Sequence, residues 1–92
     1  MSRRPFSDIV RDGAGRVLSS ATVTINVYDT GLPAVIYAVD SGGSALANGQ
    51  TTTSSNGRFT VWLDDGDYPL ISLFTAIASK SGYSTDTRYF PI

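Results

Sequence analysis

The chain contains no cysteine, no histidine and no glutamate. Without cysteine it cannot be a disulfide-linked scaffold, although this absence leaves the redox compartment undecided. Without histidine, the abundant serine and threonine hydroxyls lack the base that most often activates such nucleophiles. A pair of aspartates remains available for acid–base chemistry, and nothing in the pattern indicates a cleft around it. We therefore expect a protein that is not an enzyme and has no catalytic or cofactor-binding residues.

Net charge and long apolar runs are also lacking. Seven basic residues against eight acidic ones leave a formal net charge of −1, so no basic surface for nucleic acid is expected. The longest apolar stretch, residues 69–78, is interrupted by Ser72 and Thr75 and is too short for a membrane span. Arg3-Arg4 precede no apolar run, so we expect no signal peptide and no passage through the general secretory route.

The chain does contain regular alternation of apolar and polar residues, over 22–27 and again over 58–63. A period of two places the apolar members of each run on one side of a strand. We predict that they share one core, made by Val23, Ile25, Val27, Phe59, Val61 and Leu63, with Tyr68 nearby. The Asn56-Gly57 pair between the runs predicts a two-residue hairpin turn in which both residues have positive φ.

Turn signals recur along the chain often enough for about seven strands. We predict an all-β fold, a small antiparallel β-sandwich that forms a single domain over residues 6–92. Residues 1–5 form a basic N-terminal arm, because Pro5 cannot donate a ladder hydrogen bond and strand pairing should begin after it. Residues 34–39 are nearly all apolar, which predicts a strand whose two faces can both be covered.

Several short motifs follow one another in a distinctive order: Asp12-Gly13-Ala14-Gly15, a strand over 21–28, Ile36-Tyr37, Asp40-Ser41-Gly42-Gly43, Ala45-Leu46-Ala47-Asn48, Thr52, Asn56-Gly57-Arg58-Phe59 and Asp65-Gly66-Asp67-Tyr68. This order resembles small β-sandwich modules of bacteriophage virion proteins, especially tail-fibre and other appendage proteins. It is also similar to prealbumin-like, or carboxypeptidase-regulatory-like, domains. The match covers residues 9–83. We call the order of motifs shared by the virion modules the virion skeleton. The chain departs from it at Gly49-Gln50, where the skeleton has proline.

The resemblance implies a prealbumin-like or immunoglobulin-like sandwich located in the virion. It implies a non-catalytic structural protein that docks by its sandwich surfaces on neighbouring capsid or tail subunits. Phage fibres usually embed such a module in a longer chain, so a short chain favours capsid decoration or a small tail subunit. The habit of phage appendages implies a homo-oligomer, with a trimer expected. The alternative is an adsorption module that binds a host surface glycan; a transthyretin-like domain with a cellular role is a third hypothesis.

Six residues are candidates for an interface with another subunit: Arg3, Arg4, Tyr28, Val35, Tyr37 and Trp62. The two arginines belong to the basic arm, which can order on a partner surface. The rings of Tyr28 and Trp62 lie on polar sides of strands, where they can pack on a partner, stack on a sugar or lie beneath a loop. Val35 and Tyr37 share one face of the 34–39 segment, which a single small core can leave uncovered.

The densest charge cluster is formed by Asp64, Asp65 and Asp67. Hard cations such as Ca²⁺ bind several carboxylate oxygens, so a metal site is one interpretation. Asp-Gly is turn chemistry by itself, and the spacing of an EF-hand loop is absent. We therefore expect a solvated turn here and no metal site.

Overall fold

Two antiparallel β-sheets enclose the core in the computed structural model, which describes residues 3–28, 30–68, 72–83 and 85–91. The described strands are β1 (Arg3–Ile9), β2 (Thr22–Val27), β3 (Gln50–Thr52), β4 (Arg58–Asp64), β5 (Leu73–Ser79) and β6 (Asp86–Pro91). Strands β1 and β4 form a two-stranded sheet, and the other four form a sheet in the order β3-β2-β5-β6. A single 3₁₀ turn, Ala47–Gly49, precedes β3. The predicted all-β antiparallel sandwich is confirmed.

The core lies between the two sheets, where the alternation predicted it. Val23 and Ile25 of β2 face Phe59, Val61 and Leu63 of β4, and all five side chains are buried. Val27 and Tyr68 are partly buried and pack against this core. Aromatic rings fill its other end: Phe6, Phe59, Phe74 and Phe90.

Residues 34–39 do not form the predicted strand. Their segment makes two isolated bridges instead, one from Pro33 to Asn26 of β2 and one from Tyr37 to Trp62 of β4. The chain thus crosses from one sheet to the other over a few residues, which is why the described residues contain six strands rather than about seven. Alternation is kept over 34–36, where Ala34 and Ile36 are buried and Val35 is exposed, but Ala38 and Val39 are both exposed.

Strand pairing begins before Pro5, which corrects the expectation drawn from that proline. Strand β1 starts at Arg3, and Pro5 lies directly opposite Trp62 in the ladder. The backbone N–H and C=O of Trp62 are both bonded to Tyr37 on its other side, with N···O distances of 2.9 Å. Pro5 therefore occupies a non-hydrogen-bonded position, where antiparallel pairing requires no donor. Residues 1–2 of the predicted arm lie outside the described residues.

The turn before β4 is also longer than predicted. Gly57 N–H donates to the Ser54 carbonyl (2.9 Å), and Ser54 N–H donates to the Arg58 carbonyl (2.8 Å). Gly57 has a positive φ of 72°, whereas Asn56 does not have a positive φ. The Ser54 hydroxyl accepts a hydrogen bond from Asn56 N–H at 3.3 Å, and a polar side chain of this kind favours a wider turn over a two-residue one.

Thr53 is the buried polar residue of the described core, and its hydroxyl joins two backbone groups. It donates to the Leu18 carbonyl at 2.6 Å and accepts from Ala21 N–H at 2.9 Å.

Thr53→Val keeps the shape of the side chain but leaves both backbone groups without this partner, so we expect a loss of about 1–3 kcal/mol in unfolding free energy. Urea unfolding measures this loss. The exposed neighbour is the control: Thr52→Val should change stability by no more than about 0.5 kcal/mol. Equal midpoints for the two variants would contradict the assignment.

Candidate interaction surfaces

Three of the six candidate interface residues meet on the outer side of the two-stranded sheet. Trp62 points away from the core because its neighbours Val61 and Leu63 point into it. Tyr37 is bridged to Trp62, so the two rings emerge on the same side. Arg3 lies one row further along β1, opposite Asp64.

Arg3 holds this group together. Its guanidinium carbon lies 3.6 Å from the centre of the Tyr37 ring, which is a cation–π contact. One guanidinium nitrogen also donates to the Val39 carbonyl (3.0 Å) and to the Gly42 carbonyl (2.7 Å). The arginine therefore fixes both the Tyr37 ring and the loop that follows it.

Val35 extends the same side of the chain, since it alternates with the buried Ala34 and Ile36 and is 39% exposed. We call the group of Arg3, Val35, Tyr37 and Trp62 the Trp62 surface. Arg4 does not join it. Arg4 lies opposite the buried Leu63, so the pleat directs it to the other side of β1, at an exposed end of the sheet.

Tyr28 lies on a different face of the molecule. Its ring makes an edge-to-face contact with the ring of Tyr89 of β6, at 5.7 Å between centroids and 72° between planes. Both tyrosines belong to the outer face of the four-stranded sheet, whereas Trp62 belongs to the outer face of the other sheet. Tyr28 and Trp62 consequently cannot contact the same sugar ring, because they lie on opposite outer faces of the sandwich.

The aspartates after β4 serve the turn. The Asp64 carboxylate accepts a hydrogen bond from Gly66 N–H at 2.8 Å, and its carbonyl accepts one from Asp67 N–H at 3.0 Å. Within the described residues, no three acidic side chains are arranged to hold a metal ion.

An ion pair that the sequence analysis did not identify joins the two sheets at one open end. Asp8 lies on the core-facing side of β1, and its carboxylate is 2.6 Å from the Arg88 guanidinium of β6. A second carboxylate, that of Asp86, lies 3.1 Å from the same guanidinium. The hydrogen bond with Asp8 is the main reason why the pKa of Arg88 is raised above its ordinary value.

This ion pair borders an open cleft of about 550 Å³, which is lined by Arg11, Asp12, Gly13, Gly82, Tyr83, Thr85, Asp86 and Arg88. Arg88 is neutralised by two carboxylates, and Arg11 donates to the Gly15 carbonyl of its own turn at 3.0 Å. The two arginines that line the cleft are thus both engaged in polar contacts within the chain. An acidic residue in an otherwise apolar position, Asp8 between Phe6 and Val10, was the sequence signal for the ion pair.

Comparison with known proteins identifies no relative: no family model matches the chain, and neither a curated protein nor a solved structure matches it. Helices long and apolar enough to cross a membrane are absent from the described part of the chain.

Proposed function

We propose that the protein is a non-catalytic structural component of a bacteriophage virion, and that it docks on a neighbouring capsid or tail subunit. The observation that carries this proposal is the Trp62 surface, where an arginine, a tyrosine and a tryptophan lie side by side on one outer sheet face. These three residue types dominate the binding energy of protein interfaces. The order of motifs along residues 9–83 supports the virion as the place where the docking occurs.

The Trp62 surface is preorganised for such a contact. Arg3 is held by two loop carbonyls and stacks on Tyr37, so neither side chain has to be ordered when a partner binds. Immobilising a flexible side chain costs about 0.5–1.5 kcal/mol of binding free energy, and prior ordering removes this cost. Trp62 is partly buried against its surroundings and still presents an exposed edge. A rigid aromatic anchor of this kind suits a subunit that stays in place in a particle.

Trp62→Ala should weaken attachment to virions by roughly 30-fold or more, because truncation of a central aromatic anchor costs about 2 kcal/mol or more. The experiment adds purified protein to particles grown without it and measures the bound fraction by co-sedimentation. Circular dichroism and a melting curve establish that the variant is folded.

Tyr83→Ala is the matched control, since it removes an exposed aromatic ring that lies outside the Trp62 surface. We expect it to leave attachment to the particle unchanged. Wild-type attachment by folded Trp62→Ala protein would overturn the assignment of this surface. Failure of the wild-type protein to bind any particle fraction would overturn the virion proposal itself.

A further inference from the structure

The outer face of the four-stranded sheet has no charged side chain among the described residues. The pairing register identifies the members of this face, because residues that lie directly opposite each other in a ladder point to the same side of the sheet. They are Thr22, Thr24, Asn26, Tyr28, Gln50, Thr52, Leu73, Thr75, Ile77, Ser79, Thr87, Tyr89 and Pro91. We call this set the neutral face.

Such neutrality is unusual for a surface that meets water. Charged residues make up 16% of this chain, a share that would place about two of them in a set of 13. The outer face of the other sheet follows that pattern, with Arg3, Arg58 and Asp64 all directed outward. The cores of protein interfaces are depleted of charge and enriched in tyrosine.

The neutral face also exposes substantial apolar surface. Tyr28, Leu73 and Tyr89 are 46%, 44% and 64% exposed. The two tyrosine rings approach each other over β5, which lies between their strands. Together with the exposed Pro91, they form an apolar end of an otherwise hydroxyl- and amide-bearing sheet.

The geometry argues against strand addition at the β6 edge of this sheet. Tyr28 N–H donates to the Leu73 carbonyl at 3.0 Å, so Leu73 directs its backbone groups toward β2. Its partner on the other side, Pro91, is then in a non-hydrogen-bonded position with its backbone nitrogen facing the free edge. Proline has no N–H to offer there, and prolines at edges discourage pairing with another chain. Strand addition at the β6 edge is therefore disfavoured next to Pro91.

We propose that the neutral face binds the neutral face of a second copy of this chain, about a two-fold axis near Thr75, in place of the trimer that the resemblance to phage appendages implies. A two-fold contact places the same surface on both sides. A charged face would oppose itself at the axis, whereas a neutral one does not. A neutral polysaccharide fits less well, because the perpendicular Tyr28 and Tyr89 rings offer no common plane on which sugars can stack.

The size of the face sets the strength of the dimer. At ~4.8 Å between strands and ~3.3 Å per residue, the sheet spans roughly 350–400 Å² in projection. Side-chain relief enlarges the accessible area, so two copies bury about 1,000 Å², near the lower limit for a specific interface. The dimer should consequently be weak, with a dissociation constant on the order of micromolar or above.

Sedimentation equilibrium of the purified full chain tests this proposal in the absence of virions. Its outcome is therefore independent of the docking proposal. We expect the mass to rise from monomer to dimer with concentration. The dissociation constant should not change with salt concentration, since no charge pairs cross the contact.

Two charge variants sharpen the test. Thr75→Lys and Thr75→Asp should each raise the dissociation constant by roughly tenfold or more, because like charges meet at the axis. An equimolar mixture of the two should restore dimers. Thr60→Lys, on the outer face of the other sheet, is the control and should dimerise as the wild type does.

Several results would overturn the proposal: a monomer at every concentration, a trimer, or a dimer that Thr75→Lys leaves intact.

Amide chemical shifts provide an independent measurement. Shifts confined to the neutral face that grow with protein concentration are expected. Shifts on that face induced by maltohexaose in a protein that remains monomeric would instead assign the face to carbohydrate.

Discussion

Truncating Phe74 to alanine should lower the free energy of unfolding by about 3–5 kcal/mol, the range for a fully buried aromatic side chain. Phe74 is completely buried on β5. Its ring lies 4.9 Å from that of Tyr68 and 5.4 Å from that of Phe90, measured between centroids. Removing the Phe74 ring takes away its contacts with both Tyr68 and Phe90. The strands on either side of β5 are paired with it and cannot move in to fill the cavity that is left.

This loss is large for so small a domain. A chain of this length has a total stability of roughly 5–14 kcal/mol, and each kcal/mol moves the melting temperature by about 4–8 °C. Thermal and urea unfolding of the same samples measure the change. Leu32→Ala is the control, since it truncates an exposed apolar residue and should alter stability by no more than about 0.5 kcal/mol. A Phe74→Ala loss as small as the control's would contradict the position of the core.

Gly49→Ala is expected to cost about 2–5 kcal/mol, from two separate causes. Gly49 has a positive φ of 64°, and a side chain in the left-handed region costs roughly 1–2 kcal/mol. An added Cβ would also lie 2.7 Å from the Ile25 carbonyl oxygen and 3.0 Å from that of Ala34. The Ile25 carbonyl oxygen accepts a hydrogen bond from Ala34 N–H, so it cannot move away from Gly49 without disturbing that bond. Overpacking of this kind costs typically about 1–3 kcal/mol.

Gly42→Ala separates the two causes. Gly42 has a positive φ of 71°, and nothing lies within 4 Å of the Cβ it would gain. Its alanine variant should therefore lose only the backbone contribution of roughly 1–2 kcal/mol. Gly57→Ala should behave like Gly49→Ala, because its Cβ would lie 2.8 Å from the Val10 carbonyl oxygen. Equal losses at Gly42 and Gly49 would show that the close approach to Ile25 is absent.

The same glycine is one of the two residues at which the chain departs from the virion skeleton that it resembles. That skeleton has proline at the position of Gly49, and proline is restricted to φ near −65°. A φ of 64° is closed to it. The entry into β3 in this chain therefore has a different backbone path from one that contains proline.

The strands that carry the core were predictable because burial imposes a local period. Residues 22–27 and 58–63 alternate strictly, and each apolar member is where the period places it. Residues 34–39 are nearly all apolar, so their sequence does not say which sheet the segment pairs with. Their crossing between sheets depends on Pro33 and Tyr37 finding different partners. The paired Pro5 likewise depends on where the backbone groups of Trp62 point, and the sequence around Pro5 contains no information about that.

The surfaces were predictable only residue by residue. Tyr37 and Trp62 carried a signal, since aromatic rings stood at outward positions of apolar or alternating segments. The contact of Tyr37 with Arg3 carried no such signal, because it joins positions far apart in the chain. The neutral face required the register of four strands, and no single strand shows it. The pairing of Asp8 with Arg88 could not be predicted either, since the two residues belong to the first and last described strands.

The most direct test of the virion proposal is the copy number of this protein in purified particles, measured by quantitative mass spectrometry against an isotope-labelled standard. The account predicts a constant number of copies per particle across independent preparations, retained through density-gradient purification. It also predicts that an antibody against the protein labels one defined location on intact particles. Absence from purified particles, or an amount that falls with each purification step, would contradict the account.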